Sequence, residues 1–139
     1  MTRFAVDAPT TLRLVREGID PREHQLVGTA SLRSEVLSLL YQQQREADVG
    51  TADLGAAERN ALLDRLAGLR MRLLGDRVSR REAWRIASEL RLDDTRPAEL
   101  IAVARLQADV LVTDDPALRS LAEGLTEVVG WRDLVAALS

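Results

Sequence analysis

The chain has 139 residues, the length of one ordinary folded domain, and we expect a single domain over residues 1–139. Apolar residues make up 46% of it and charged residues 29%, values that exclude a disordered polyelectrolyte. The net charge of −3 is not that of a protein that holds nucleic acid by bulk attraction. The chain contains no cysteine, which excludes disulfides, thiol nucleophiles and cysteine-ligated zinc.

Apolar runs along the chain are short. The longest are about five residues, as from Leu100 to Ala104, whereas a membrane-spanning helix needs roughly 20. The first residues carry no hydrophobic signal segment. We therefore expect a cytoplasmic protein without membrane association.

The side chains available for chemistry are mostly carboxylates. All 19 basic residues are arginine, so Walker-type phosphate loops and Schiff-base chemistry are excluded. The single histidine, His24, cannot build a two-histidine metal site, and we expect it to be a solvated loop residue. An enzyme built from 22 acidic residues, arginine and hydroxyls is expected to use an oxygen-ligated divalent metal.

Apolar runs of strand length alternate with stretches of helical periodicity. Strands are predicted at 4–6, 25–27, 71–74, 110–113 and 127–129. Helices are predicted at 9–16, 31–45, 54–69, 79–90, 97–107, from 116 onward and at 131–138, with a loop near 48–53. This alternation predicts an α/β domain whose central parallel sheet of four to five short strands is covered on both faces.

Local signals set several of these boundaries. The spacing of Ser79 and Glu82 is that of a capping box, which predicts a helix beginning at Ser79. Pro97 suits the first turn of the following helix. Trp84 and Trp131 fall in predicted helices and are expected in the core.

Acidic residues follow two of the predicted strands directly. Asp7 comes after the first strand, and Asp114 and Asp115 come after the fourth. If these strands are parallel neighbours, their carboxyl ends bring the acids together at the edge where ligands bind in open α/β sheets. Thr10 and Thr113 are hydroxyl residues at the same strand ends and are candidate supporting partners of the acids.

Two further acids lie within apolar helical stripes. Glu35 sits between Leu32 and Leu39, and Glu99 precedes Ala102 and Val103. A buried carboxylate without a partner costs several kcal/mol, and a divalent cation shared by several of them is the simplest remedy. Mg²⁺ or Mn²⁺ held in this way could activate a water for phosphodiester hydrolysis.

Structural roles for these acids stay open. Asp7 could cap the following helix, and Glu99 could gain from the helix dipole alone. Glu35 could pair with an arginine such as Arg3 or Arg33.

Asp114 and Asp115 could cap the helix that starts at Pro116. Of these two, Asp115 is the candidate metal ligand, while Asp114 is a weaker one.

Positive charge is concentrated in one segment. Between positions 70 and 91 there are seven arginines and three acids. Arg77, Arg80, Arg81 and Arg85 could contact RNA phosphates along one helix. The alternatives are a solvated helix face paired with its own acids, or a surface for a protein partner.

In four stretches the sequence resembles the PIN-domain ribonucleases, and among them the VapC-type toxins of bacterial type II toxin–antitoxin systems. These stretches are Val6-Asp7-Ala8-Pro9-Thr10, Leu32-Arg33-Ser34-Glu35-Val36, Ala98-Glu99-Leu100-Ile101-Ala102-Val103-Ala104 and Leu111-Val112-Thr113-Asp114-Asp115. The resemblance implies a PIN-like α/β/α fold, Mg²⁺ or Mn²⁺ bound by the acids, and endonucleolytic cleavage of RNA. It also implies a homodimer and a small antitoxin partner.

The resemblance carries three of the family's four acids directly onto this chain. They are Asp7, Glu35 and Asp115. The third of the family's four acids has no direct counterpart, because its position falls on Pro97, or on Ala98 if one gap is allowed. Neither side chain can bind metal, and Glu99 is the nearest substitute. Asp94 is a second possibility.

Three hypotheses follow. The first is a metal-dependent endoribonuclease that acts as a toxin. The second is a PIN-like interaction protein that binds an antitoxin without catalysis. The third, a receiver or phosphatase-like domain with Asp7 as phosphoacceptor, is weakened because those folds normally use a lysine to hold the phosphoryl group.

Overall fold

The computed structural model describes residues 1–47 and 55–139, which form five strands and seven helices. The strands are β1 (Arg3–Val6), β2 (Gln25–Thr29), β3 (Met71–Leu74), β4 (Val110–Val112) and β5 (Val128–Val129). The helices are α1 (Ala8–Glu17), α2 (Leu32–Ala47), α3 (Ala56–Gly68), α4 (Arg77–Glu89), α5 (Arg96–Gln107), α6 (Pro116–Ala122) and α7 (Trp131–Leu138).

The strands form one parallel sheet in the order β3-β2-β1-β4-β5. The chain moves from β1 outward to β2 and β3, then returns to place β4 and β5 on the other side of β1. The order therefore reverses between β1 and β4, which is where open α/β sheets bind ligands. Val6 pairs with Val112 in register, so the residues that follow these two strands lie side by side.

The sheet separates two hydrophobic cores. Phe4 and Val6 of β1 enter one core with α1, α2, α3 and α7, while Ala5 enters the other with α4, α5 and α6. Successive strand residues point to opposite faces, so one short apolar strand serves both layers. The predicted α/β/α architecture with a parallel sheet is confirmed.

A glycine sets the position of α2. A Cβ on Gly28 would lie 2.4 Å from Leu32 Cδ2, so only glycine lets the start of α2 pack directly on the end of β2. The apolar stripe predicted around Glu35 is confirmed, since Leu32 is buried and Leu39 half-buried, and Val36 and Leu40 of the same helix are buried with them. Glu35, in the first turn of this helix, is thereby held at the carboxyl edge of the sheet.

Helix α5 is apolar on nearly every side because it packs between the sheet and α4. Six of the seven residues from Ala98 to Ala104 are buried, and Glu99, in the first turn, is the half-buried exception. Pro97 lies in the first turn, as predicted. The second half-buried glutamate is thus also at a helix start beside the sheet edge.

Two boundary predictions differ from the structure or fall outside it. The predicted capping box at Ser79 is wrong, because α4 begins at Arg77 and the Asp76 carboxylate accepts the Ser79 N–H at 2.8 Å. Asp76 thus caps the helix three residues before the predicted capping residue, Ser79. Accepting the Ser79 N–H lowers the pKa of the Asp76 carboxyl. The predicted loop at 48–53 and helix start at 54 lie outside the described residues.

Trp84 and His24 have surroundings that differ from those predicted. Trp84 is 71% exposed rather than in the core, whereas Trp131 is buried as predicted. His24 is not a solvated loop residue: Nδ1 accepts the Thr2 N–H at 2.9 Å, and the ring meets Phe4 edge-on.

Within the described parts of the chain, no helix is both long and apolar enough to span a membrane.

Candidate functional site

Asp7 is a buried carboxylate held by the start of α1. It is 8% exposed, and Oδ1 accepts the Thr10 N–H at 2.9 Å. The Thr11 hydroxyl donates to the Asp7 carbonyl at 2.8 Å. The helix-capping role left open by the sequence is therefore present. It leaves acceptor positions free, because an ionised carboxylate offers about four of them.

Thr113 joins the ends of β1 and β4. Its hydroxyl donates to Asp7 Oδ2 at 2.5 Å and accepts the Asp115 N–H at 3.1 Å. The residue is fully buried, and its carbonyl accepts a hydrogen bond from Arg119 at 2.8 Å. One threonine thus fixes the Asp7 carboxylate at the point where the strand order reverses. Thr10, by contrast, reaches Asp7 through its backbone.

A cavity of about 90 Å³, here called the acidic cavity, brings three of the predicted acids together. Asp7 enters it from the end of β1, Glu35 from α2 and Glu99 from α5. Pro97, where the resemblance expects an acid, also lines it. Asp7 and Glu99 lie more than 90 positions apart along the chain, and the parallel topology places them at one edge.

The two glutamates of the acidic cavity are less constrained than Asp7. Both are half-buried, and neither side chain forms a hydrogen bond or ion pair in the described structure. The ion pairs considered for Glu35 are absent, since Arg3 pairs with Asp109 and Arg33 donates to backbone carbonyls of the α3 end. Both glutamates are therefore free to turn toward a cation.

Arg96 lines the same cavity, and the sequence analysis missed it. Its Nε donates to Asp94 Oδ2 at 2.7 Å, and its N–H donates to Asp94 Oδ1 at 3.0 Å. These bonds raise the pKa of Arg96, with smaller contributions from the charges of Glu35 and Glu99, and they lower the pKa of Asp94. A cation of the chain itself thus offsets part of the cavity's negative charge. Its position directly before Pro97, at the start of the same helix as Glu99, was the sequence signal that could have placed it at this cavity.

The other candidate acids lie outside the acidic cavity. Asp94 is exposed and paired with Arg96. Asp114 Oδ1 accepts the Trp131 N–H at 3.2 Å and so ties the end of β4 to α7. Asp115 is exposed, and its Oδ1 accepts the Ala117 N–H at 3.0 Å as the cap of α6.

The donor chemistry of the acidic cavity fits Mg²⁺ or Mn²⁺, which prefer carboxylate oxygens. Across residues 1–47 and 55–139, however, no three acidic or histidine side chains converge closely enough to hold an ion. Asp7 is fixed, whereas the glutamates are long and unbonded. A cation site at this cavity therefore needs Glu35 and Glu99 to rotate inward.

The four arginines predicted to contact RNA fall into two groups. Arg85 donates to Glu82 at 2.5 Å and to Glu89 at 2.8 Å, so it matches the alternative of a helix face paired with its own acids. Together with Arg105, it lowers the pKa of Glu82. Arg77, Arg80 and Arg81 make no ion pair with any residue that the structure describes.

A second cavity, here called the arginine cavity, adjoins the first. It has a volume of about 170 Å³ and shares Thr29 and Glu99 with the acidic cavity. Arg80, Ser31 and Ser79 line it, at the carboxyl ends of β2 and β3. Acidic and basic pockets thus lie next to each other along one edge of the sheet.

No protein-family model matches this sequence, and no curated protein is similar enough to count as a match. Among solved structures, the chain is similar to the crystal structure of PAE2754 from Pyrobaculum aerophilum, with 26% identity and a TM-score of 0.70 over 98% of this chain and 95% of that one. It is also similar to a chain in the crystal structure of VapBC2 from Rickettsia felis bound to a DNA fragment from their promoter. Here the TM-score is 0.58 and the identity 9%, over 93% of this chain and 98% of that one. The chain has a PIN-like three-layer fold.

Proposed function

We propose that this chain is a metal-dependent endoribonuclease of the VapC type, the toxin of a toxin–antitoxin pair. The observation that carries the proposal is the acidic cavity, which Asp7, Glu35 and Glu99 line at the point where the strand order of the parallel sheet reverses. Three of the four sequence stretches that resemble VapC-type toxins contain these acids, and the PIN-like fold agrees with them.

Each acid has a distinct part in this proposal. Asp7, held by Thr10 and Thr113, is the fixed ligand, and Glu35 and Glu99 rotate to complete the site. Bound Mg²⁺ or Mn²⁺ would activate water and stabilise charge on the leaving oxygen. Glu99 replaces the acid missing at Pro97, which lines the same cavity.

Asp115 stays a proposed ligand that would have to leave its helix-capping position. Asp94 and Asp114 are weaker proposals for the same reason, since each carboxylate already accepts a hydrogen bond.

The proposed partners are an RNA substrate, a small cognate antitoxin and a second copy of the chain. The likeness to a chain of the VapBC2 structure supports the antitoxin partner. An antitoxin encoded by the neighbouring reading frame should bind this chain and block cleavage.

The test is cleavage of structured RNA by the purified chain, with EDTA and re-added Mn²⁺. We expect cleavage that EDTA stops and Mn²⁺ restores, and we expect Asp7→Asn to abolish it. Asparagine can still cap α1 through its Oδ1 and can donate through its Nδ2 to the Thr113 oxygen, so the melting temperature should change less than for an alanine. Asp64→Asn, an equal charge change on the exposed side of α3, is the matched control and should leave cleavage intact. Cleavage that survives EDTA would contradict the proposal.

A non-catalytic antitoxin-binding protein is the second candidate. It is favoured by Pro97 in the acidic cavity and by the lack of three converging ligands in the described residues. This candidate predicts tight antitoxin binding by a chain that takes up no Mn²⁺ at millimolar concentration.

A further inference from the structure

We propose that the arginine cavity binds a phosphate of single-stranded RNA beside the one that is cut, and that Trp84 stacks on a neighbouring base. This inference rests on the proposed function and extends it from the cleaved bond to the strand that flanks it.

The two cavities adjoin along the sheet edge. Thr29 and Glu99 line both of them, so a strand whose scissile phosphate enters the acidic cavity passes the arginine cavity next. The carboxylate of Glu99 lies at this boundary and repels a second phosphate there. Any attraction for this phosphate must therefore come from the side of the arginine cavity opposite Glu99.

Arg80 supplies that attraction. It makes no ion pair with any residue that the structure describes, and its Nη2 lies 3.6 Å from the position that a Cβ on Gly75 would take. Arg80 and Gly75 both line the cavity, so the guanidinium lies at its edge. Thr29 and Ser31 line the same cavity, and because one of their hydroxyls donates to the other, one hydroxyl proton stays available; the Ser79 hydroxyl already donates to the Asp76 carbonyl. An unpaired guanidinium with a hydroxyl donor suits the oxygens of a phosphate.

Trp84 continues the same surface. It lies four residues after Arg80 and three after Arg81, spacings that bring side chains together on a helix surface, with about 5–6 Å between Cβ atoms. Its indole is 71% exposed, although tryptophan is usually well buried. Exposed aromatic rings beside cationic side chains are the pattern by which proteins bind single-stranded nucleic acid.

Charge selects RNA over a protein helix as the occupant of this face. Arg77, Arg80 and Arg81 carry no counter-charge among the described residues, whereas Arg85, on the same helix, is neutralised by two glutamates. A polyanion supplies the missing charge and a base for the indole. An apolar partner helix would supply a contact for the indole but no negative charge.

The experiment measures binding of a fluorescently labelled, mixed-sequence single-stranded RNA to the full chain in EDTA, at several salt concentrations. Arg80→Ala should weaken binding about tenfold and reduce the slope of log affinity against log salt by about 0.7, the value for one phosphate contact on a single strand. Trp84→Ala should weaken binding about tenfold without changing the slope, and Trp84→Phe should restore most of the affinity. Arg85→Ala is the matched control and should leave affinity and slope unchanged.

The inference is overturned if Arg80→Ala and Trp84→Ala bind RNA like the unaltered chain while that chain cleaves RNA with Mn²⁺. It is also overturned if Trp84→Ala loses antitoxin binding but keeps RNA binding, which would make the face a protein interface. Failure of the proposed function is a separate result, because it shows as absence of Mn²⁺-dependent cleavage by the unaltered chain.

Discussion

The two sides of the acidic cavity differ in how firmly their acids are held. On the strand side, Asp7 is buried and receives hydrogen bonds from Thr10 and Thr113. On the helix side, Glu35 and Glu99 are half-buried, and their carboxylates have no hydrogen bond in the described structure. Burial and hydrogen bonding fix one ligand in advance, whereas the other two depend on an arriving cation. Stability and activity should therefore separate between the two sides.

A large loss of activity with little loss of stability should come from the helix side. Glu35→Gln and Glu99→Gln each remove a proposed ligand, and we expect cleavage to fall by at least 100-fold, more than for residues that only orient ligands. Because these carboxylates bond to nothing else described, the free energy of unfolding should change by no more than about 0.5 kcal/mol. Single-turnover cleavage and urea unfolding measure the two quantities. A marked loss of stability would show that the glutamates have structural roles.

The largest effect on stability should come from the strand side. Asp7→Ala removes the cap of α1 and leaves the buried Thr113 hydroxyl without its acceptor, so we expect a loss of about 2–3 kcal/mol in urea unfolding. Asp7→Asn, which keeps the cap through Oδ1 and can donate to the Thr113 oxygen through Nδ2, should lose less than half as much. Equal losses for the two variants would contradict this interpretation.

Thr113→Val should show the effect of loosening Asp7 without removing it. Valine fills the same space but cannot donate to the carboxylate or accept the Asp115 N–H, which costs about 1–2 kcal/mol. We expect cleavage to fall about tenfold, with Mn²⁺ affinity reduced in parallel. Thr113→Ser, which keeps the hydroxyl, is the control and should retain most of the activity.

Arg96→Ala should have a smaller effect in the opposite direction. Its guanidinium lines the acidic cavity and competes with a metal ion for the charges of Glu35 and Glu99. Removing it should tighten Mn²⁺ binding a few-fold in calorimetry at low salt, and the gain should shrink as salt screens the charge. Arg96→Lys retains the charge and should bind Mn²⁺ like the unaltered chain. Weaker Mn²⁺ binding by Arg96→Ala would show that the arginine supports the site.

The smallest effect should be on how the stability of the protein changes with pH, through an ion pair on α4. Arg85 donates hydrogen bonds to Glu82 and, with Arg105, lowers the pKa of that carboxyl from its ordinary value of 4.5. The stabilisation is therefore complete above that ordinary value and is lost as the pH falls through the lower folded value. Glu82→Gln should reduce the melting temperature by about 2 °C at pH 7 and by less at pH 3. An equal decrease at both pH values would contradict the ion-pair explanation.

The layer architecture could be predicted because it depends on short-range patterns. Apolar strand runs alternate with helical stripes, and that order is compatible with few arrangements other than a covered parallel sheet. The structure confirms the sheet and the stripe of α2.

Side-chain environments on the helices were harder to predict. Trp84 is exposed because α4 presents the small residues Ala83 and Ala87, with Ile86, to the core that it shares with α5. Periodicity marks that helix face but not how closely the neighbouring helix approaches it. Asp115, which follows β4, shows the same limit: it caps α6 and does not line the acidic cavity, where its sequence position suggested it would lie.

The most direct test is a Mn²⁺ titration by calorimetry of the unaltered chain beside Asp7→Asn, Glu35→Gln, Glu99→Gln and the control Asp64→Asn. If the three acids of the acidic cavity share one cation, the unaltered chain and the control bind Mn²⁺ at millimolar concentration or below. Each of the other three variants should then bind at least tenfold more weakly. No Mn²⁺ uptake by the unaltered chain, or equal binding by all five proteins, would contradict the account.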